Sequence, residues 1–295
     1  MKSGFVSIVG RPNVGKSTLL NTVLERKIAI TSNVSGTTRN IIQGIYNDDD
    51  SQIVFIDTPG IHKPVNKLGA VMNNQAYHMI DEVDIILFLV DVTKKYGKGD
   101  SFVLDKIKEL NKPIFLVLNK VDLIDKKELF KIIDNINKEY NFDEIIPISS
   151  IKNDNIDDLI NTIKKYLPRE GILYDEDMIT NISRDFYIAE VVREKLLRLT
   201  KDEVPHTVTC VTETFEENEK FIDIGVLIIV DRENLKKIII GKNGQMLKKV
   251  GTYARSDIEE FLGKQVNLKT YVKVIEDWRE KEKYLKELGF YELNN

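Results

Sequence analysis

A chain of 295 residues is long enough for two domains, each with its own core. Its 42% hydrophobic and 31% charged residues exclude a disordered polypeptide, and the longest unbroken apolar run, 85–90, is too short to span a bilayer. The net charge of −4 argues against a uniformly basic nucleic-acid binder, but nine basic residues face three acidic ones between Lys236 and Lys273, which leaves the rest of the chain at −10.

From residue 3 to about 167, short β-branched runs alternate with helical stretches. Strands are expected at 5–9, 41–46, 53–57, 85–90, 113–118 and 145–149, with helices such as KSTLLNTVLE and NIDDLINTIKKYL between them. That alternation predicts a doubly wound α/β domain with a parallel sheet covered on both faces. Asp48–Asp50 reads as a hairpin tip, and LPREGILYDED at 167–177 as the heart of a linker. Beyond it, Phe186, Ala189, Val192, Leu196 and Leu199 recur at helical spacing, two alternating runs follow, and a helical stretch and the strand VNLKTYVKV close an α-β-β-α-α-β order. The boundaries are a first domain at 1–167, a linker at 168–184 and a second domain at 185–295. The single cysteine, Cys210, lies in an alternating run and reads as a buried strand residue; with no signal-peptide pattern at the start, a reducing, cytoplasmic setting is expected. His62, His78 and His206 lack metal-ligand spacing.

GRPNVGKS follows the first strand and opens a helix, which is the context in which G-x-x-x-x-G-K-S cradles phosphates. Asn13, Val14, Gly15 and Thr18 would line this loop, Lys16 would reach the β- and γ-phosphates, and the Ser17 hydroxyl would ligate Mg2+. DTPG, residues Asp57, Thr58, Pro59 and Gly60, ends the third strand, so Asp57 can hold the metal through water and the Gly60 N–H can bond a γ-phosphate. NKVD ends the fifth strand. Its Asp122 can accept from guanine N1–H and the exocyclic amine, whereas adenine offers an unprotonated N1; Asn119 would tie loops together and Lys120 would lie over the base.

These three motifs in this order resemble the translation-factor-like P-loop GTPases. The resemblance implies that Thr38 of SGTTR is the switch-I threonine that ligates Mg2+ and senses the γ-phosphate, so that catalysis rests on Lys16, Thr38 and Gly60. It also implies that Ser149, Ser150 and Ile151 form the guanine loop, with Ser150 replacing the usual alanine and Asn153 a glycine. Ile61 stands where related enzymes carry a water-positioning glutamine, so slow intrinsic hydrolysis is expected. Asn13 matches the position through which some GTPases with an apolar residue there recruit K+.

IIIGKNGQMLKKVG at 238–251 holds a second glycine loop, too short to wrap a triphosphate and lacking the trailing Lys-Ser. Ile240, Gly241, Lys242, Asn243 and Gly244, with Lys248, Lys249 and Arg255, suit a G-x-x-G clamp on single-stranded RNA; the plainer reading is a helix-turn-helix corner with a glycine cap. The basic surplus and the element order favour an α+β KH domain of the α-first type II topology. Together with WREKE near the end, the two motif sets make the chain similar to bacterial ribosome-assembly GTPases that carry a C-terminal KH domain. That resemblance implies GTP/GDP as ligands, with GTP favouring the RNA-competent arrangement and hydrolysis leading to release, binding to the 3′ end of 16S ribosomal RNA during small-subunit maturation, a monomer, and peripheral association with the cytoplasmic face of the membrane. The alternative is a signalling GTPase at the membrane whose second domain docks protein or lipid.

Overall fold

The computed structural model describes residues 1–291; the last four residues of the expected second domain, 292–295, lie outside the described residues. The first half runs β1 (Lys2–Val9), α1 (Lys16–Val23), β2 (Ile42–Asn47), β3 (Ser51–Asp57), α2 (Lys67–Glu82), β4 (Ile85–Asp91), α3 (Lys98–Ile107), β5 (Ile114–Asn119), α4 (Lys126–Ile136), β6 (Glu144–Ile148), α5 (Ile156–Tyr166) and β7 (Arg169–Glu170). The sheet order is β2-β3-β1-β4-β5-β6. All seven residues of β4 are buried because both faces are covered. Ile85, Leu87 and Leu89 pack toward α1 and α5, while Ile86, Phe88 and Val90 pack toward α2 and α3. Each such burial stabilises the fold by about 1.5–3 kcal/mol.

The sheet is mixed, where a parallel one was expected. β2 pairs antiparallel with β3 because the Asp48–Asp50 turn is too short for a crossover. β7 pairs antiparallel with Lys2 and Ser3, the end of β1 that β4, starting opposite Val6, leaves unpaired. The expected linker is therefore docked over much of its length. The Ile45 N–H donates to the Ile179 carbonyl at 2.8 Å and the Thr180 hydroxyl to the Gln43 carbonyl at 2.6 Å, which covers the exposed edge of β2.

The second half runs α6 (Arg184–Leu199), α7 (Val204–Thr207), β8 (Thr209–Glu217), β9 (Phe221–Val230), α8 (Glu233–Ile240), α9 (Gln245–Leu262), β10 (Gln265–Val274) and α10 (Glu282–Glu287). This is the expected order with two short helices added. The sheet is β10-β9-β8, antiparallel across the β8–β9 hairpin and parallel between β9 and β10. Ser183 caps α6 by accepting from the Phe186 N–H at 3.2 Å. α6 and α9 pack on one sheet face. On the other face Trp278, Leu285 and Phe290 join Ile229 to Leu68, Val71 and Met72 of α2, so the end of the chain binds the two halves together. Cys210 is buried in β8, where desolvation pushes its thiol up, out of the range of a nucleophile.

Candidate nucleotide site and nucleic-acid interface

β1 ends in the phosphate-type loop at the point where the strand order turns from β3 on one side to β4 on the other, the usual ligand position in an open α/β sheet. Gly15 has φ 107°, and a Cβ there would lie 2.2 Å from the Asn119 amide nitrogen, so only glycine fits. Lys16 is buried and donates to the carbonyls of Arg11 at 3.1 Å and Gly10 at 3.3 Å. Desolvation lowers its pKa, and the facing Asp57 partly restores it. Thr18 and Asn13 line the same cavity, which measures about 870 Å³.

Three oxygens converge beside it. The Ser17 hydroxyl donates to Asp57 Oδ2 at 2.6 Å and lies 2.8 Å from Thr38 Oγ1, which is itself 3.4 Å from Asp57 Oδ2. Asp57 is fully buried and its Oδ1 has no hydrogen-bond partner among the described residues. Burial pushes its carboxyl up to about 6 against the opposing pull of Lys16, Ser17 and Thr38. Two hydroxyls and an under-coordinated carboxylate suit a hard, oxygen-seeking cation such as Mg2+. Gly60 lines the cavity against Pro12. Asp57, Thr58 and Pro59 lie behind its wall, the Thr58 hydroxyl bonding the Ile8 carbonyl at 3.1 Å. Ile61 is 1% exposed in the core under α2, so its side chain orients no water.

At the base end, the Asn119 amide donates to the Val14 carbonyl at 2.9 Å and its oxygen accepts from the Ser150 N–H and hydroxyl, both at 3.0 Å. The serine in place of alanine thus adds a bond. Asn153 takes the expected glycine's left-handed geometry with φ 54°, which asparagine tolerates. The Lys120 ammonium bonds the Asn13 carbonyl at 3.0 Å and Asp91 at 2.5 Å, while Asp122 and Ile151 stay exposed at the cavity mouth. Ser149 is buried, its backbone paired with Asp154.

The second glycine loop is built differently. α8 stops at Gly241, whose φ 71° and ψ 175° suit glycine alone, and a Cβ there would lie 2.7 Å from that of Met246. Lys242, Asn243 and Gly244 form a single tight turn, with φ 52° at Asn243 and 74° at Gly244, and Ile240 precedes it. A groove of about 330 Å³ runs from Gly244 along Leu247, Lys248, Gly251, Thr252 and Arg255 of α9, against Asn267, Leu268 and Thr270 of β10. Lys249 lies off this groove, 100° further round the helix, with its ammonium 5.7 Å from the Tyr253 ring centre.

A family model for 50S ribosome-binding GTPases matches residues 5–120 and one for the KH domain matches residues 203–279. A crystal structure of an Aquifex aeolicus Era variant bound to GDP·AlF4− is 43% identical over 98% of this chain and 99% of that one, with a TM-score of 0.95. Era in complex with MgGDPNP and nucleotides 1506–1542 of 16S ribosomal RNA is 44% identical over the same shares, with a TM-score of 0.96. The chain belongs to the Era family.

In this Era-family GTPase the KH domain also reaches into the nucleotide cavity, which the sequence motifs did not indicate. Arg198 of α6 lines it together with Arg26, Lys27 and Thr31. Glu194, wholly buried, pairs with Lys27 at 2.7 Å, Arg198 at 2.9 Å and Lys195 at 3.1 Å, and Lys27 and Lys195 both reach Asp257 of α9. Arg39, next to Thr38, is buried and donates to the Val208 carbonyl at 2.7 Å and to those of Pro205 and His206 at 3.3 Å. Burial and the nearby Arg193 push Arg39 down to about 9, which leaves it charged at neutral pH.

Proposed function

We propose that this Era-family GTPase binds GTP with Mg2+ in the cavity between the phosphate loop and the NKVD loop, and binds the 3′ end of 16S ribosomal RNA in the Gly244–Arg255 groove. It acts as a GTP-hydrolysing switch in small-subunit assembly. The observation that carries the nucleotide half is the Ser17–Thr38–Asp57 cluster, with its unsatisfied buried carboxylate oxygen beside Lys16. The relatives were crystallised with GDP·AlF4− and with MgGDPNP and 16S RNA, which supports the same ligands here.

When bound, Mg2+ offsets charge on the phosphate oxygens. This chain's own residues do the rest. Lys16 places its ammonium on those oxygens, the loop amides and the Gly60 N–H add donors, and Ser17 and Thr38 supply hydroxyls to the metal. Asp122 selects guanine. With Ile61 buried and its side chain unable to orient water, unassisted turnover is slow. The Asn13 amide donates to the Asn33 carbonyl at 2.8 Å, which brings the phosphate loop and switch I together around the position proposed for K+. Turnover is expected to be faster in KCl than in NaCl; equal rates would remove the ion.

The test of the main reading is a pair of titrations on the full chain. Fluorescent GTP and GDP should bind with Mg2+ and ATP should not, and a 16S 3′-end RNA should bind with a steep loss of affinity as salt rises. Binding to protein or lipid without RNA binding would favour the signalling alternative. We also propose a cytoplasmic monomer with peripheral contact at the membrane's cytoplasmic face, to be checked by fractionation and sedimentation. No described helix is long and apolar enough to cross a membrane.

A further inference from the structure

The segment that carries Thr38 is gripped by the KH domain at both ends. At the first, the Thr31 N–H donates to Glu194 Oε1 at 3.0 Å and Arg198 donates to the Thr31 carbonyl at 3.1 Å. Ile30, just before the first end, and Val34, between the two, pack against the KH core. At the second, Arg193 of α6 donates to the Thr37 carbonyl, and Arg39 enters the cradle of the Pro205, His206 and Val208 carbonyls with its guanidinium 6.0 Å from the Trp278 ring centre. Thr38 sits between two residues anchored in the other domain, while its hydroxyl faces Ser17 and Asp57.

Arg193 is 1% exposed and forks onto Glu190, Nε to Oε1 and Nη2 to Oε2, each at 2.6 Å. Buried ion pairs of this kind are often no more stabilising than apolar residues of the same volume, so stability alone gives no reason for one here. What the pair does provide is a rigid N–H aimed out of α6. Among the described residues, Thr37 is the one residue outside α6 to which Arg193 donates.

We propose that Arg193, oriented by Glu190, is a positioning residue of the nucleotide site: from the KH domain it fixes the Thr37 carbonyl and so sets the Thr38 hydroxyl for the metal of a bound nucleoside triphosphate. The inference rests on the Mg2+–GTP reading of the cavity. It makes the KH domain part of the triphosphate site, and the coupling is reciprocal: whatever Arg193 lends to triphosphate binding, the triphosphate lends to the docked domain arrangement.

The test uses the full chain and the double substitution Glu190→Leu/Arg193→Met, which removes the pair but keeps the volume filled. Affinities are measured for GDP and for a non-hydrolysable GTP analogue, with and without Thr38→Ala. Hydrogen exchange is followed over 31–39 in nucleotide-free protein. The double variant should bind the GTP analogue about tenfold more weakly and GDP within about twofold of the parent, with faster exchange at 37–39. In the Thr38→Ala background it should add less than about twofold, because both changes remove one interaction. Unchanged analogue affinity, an equal loss for both nucleotides, or a fully additive loss with Thr38→Ala would each overturn the proposal. If the double variant does not fold, Glu190→Gln/Arg193→Met, which removes the donor to Thr37 and leaves no unpaired charge at position 190, is judged by the same criteria. Failure of the parent to bind any guanine nucleotide would instead sink the reading of the cavity.

Discussion

Gly15 and Gly244 each open a helix from left-handed backbone, and their surroundings are opposite. A side-chain carbon on Gly15 would lie 2.2 Å from the Asn119 amide, whereas one on Gly244 would meet nothing within 4 Å. On the proposed reading, the first loop is walled in because a small anion has to be enclosed and its metal held by groups from three segments, at Ser17, Thr38 and Asp57. The second stands free, as the proposed passage of a polymer over it requires, and only its own backbone must be shaped. A glycine-lysine signature thus leaves the ligand open; the packing around the loop separates a pocket from a platform.

The difference predicts unequal responses to substitution. Gly15→Ala places a methyl against Asn119 and forces alanine to a positive φ, so guanine-nucleotide affinity should fall by at least about 100-fold while RNA affinity stays unchanged. Titrating both ligands on one preparation checks this, and equal losses would mean that the loops are not independent. The next effect tests the joint between them. Burial alone would raise Glu194, but Lys27, the Thr31 N–H and Lys195 outweigh it and hold its carboxyl below the usual range. Asp257 is lowered in the same way against burial, chiefly by Lys195 and Lys27. Groups with depressed values stabilise the fold above the ordinary carboxylate range, and that contribution is lost as pH falls through their folded-state values. Glu194→Gln should therefore cost about 2–3 kcal/mol at pH 7, and the gap to the parent should narrow below about pH 4. Urea unfolding from pH 7 to 3 measures it. Asp57 has the opposite sign: raised to about 6, its contribution in the nucleotide-free protein shrinks as pH rises from the ordinary carboxylate range toward that value.

Much of the nucleotide site was legible because its geometry is local. Strands with two covered faces read as continuous apolar runs, and each motif stands at the end of one. The domain joint was illegible for an equally physical reason. Glu190 and Arg193 are three residues apart on a helix, a spacing that solvated surfaces use freely, and Lys27, beside Arg26, and Arg39 are cations in ordinary contexts. Their partners lie far off in sequence, Thr37 for Arg193, Glu194 and Asp257 for Lys27, and the Val208 carbonyl for Arg39, and only docking of the second domain brings them together. One trace was present: in α6 every residue from Tyr187 to Leu197 is buried, and its apolar positions wrap further round the helix than a single stripe needs. Charged residues inside such a helix point to a second packing partner. The mixed sheet could be anticipated only in part, since the Asp48–Asp50 turn marks a hairpin but two residues of β7 carry no periodic signal.

On the platform side, the two glycines should part company. Gly244→Asp puts a carboxylate at the start of the groove without a clash, in a left-handed region (φ 74°) that aspartate adopts at a cost of about 1 kcal/mol, so RNA affinity should fall by roughly tenfold with GTP binding intact and only a small loss of stability. Gly241→Asp meets Met246 and leaves a glycine-only backbone region, so it should destabilise the KH domain by about 1–3 kcal/mol and lose RNA binding for that reason. Thermal unfolding distinguishes the two. If both variants melt like the parent, the strain assigned to Gly241 is wrong.

The smallest effect separates neighbouring lysines. Lys248 faces the groove and Lys249 sits over Tyr253 on another side of α9. A lysine in contact with a phosphate releases about one counterion, so Lys248→Ala should weaken RNA binding at low salt and flatten the slope of log affinity against log salt by about 1. Lys249→Ala should leave that slope unchanged, because a cation outside the groove contributes only through a field that is screened within about 10 Å at moderate ionic strength. Equal slopes for the two variants would mean that the RNA path wraps around α9 and is not confined to the groove beside β10.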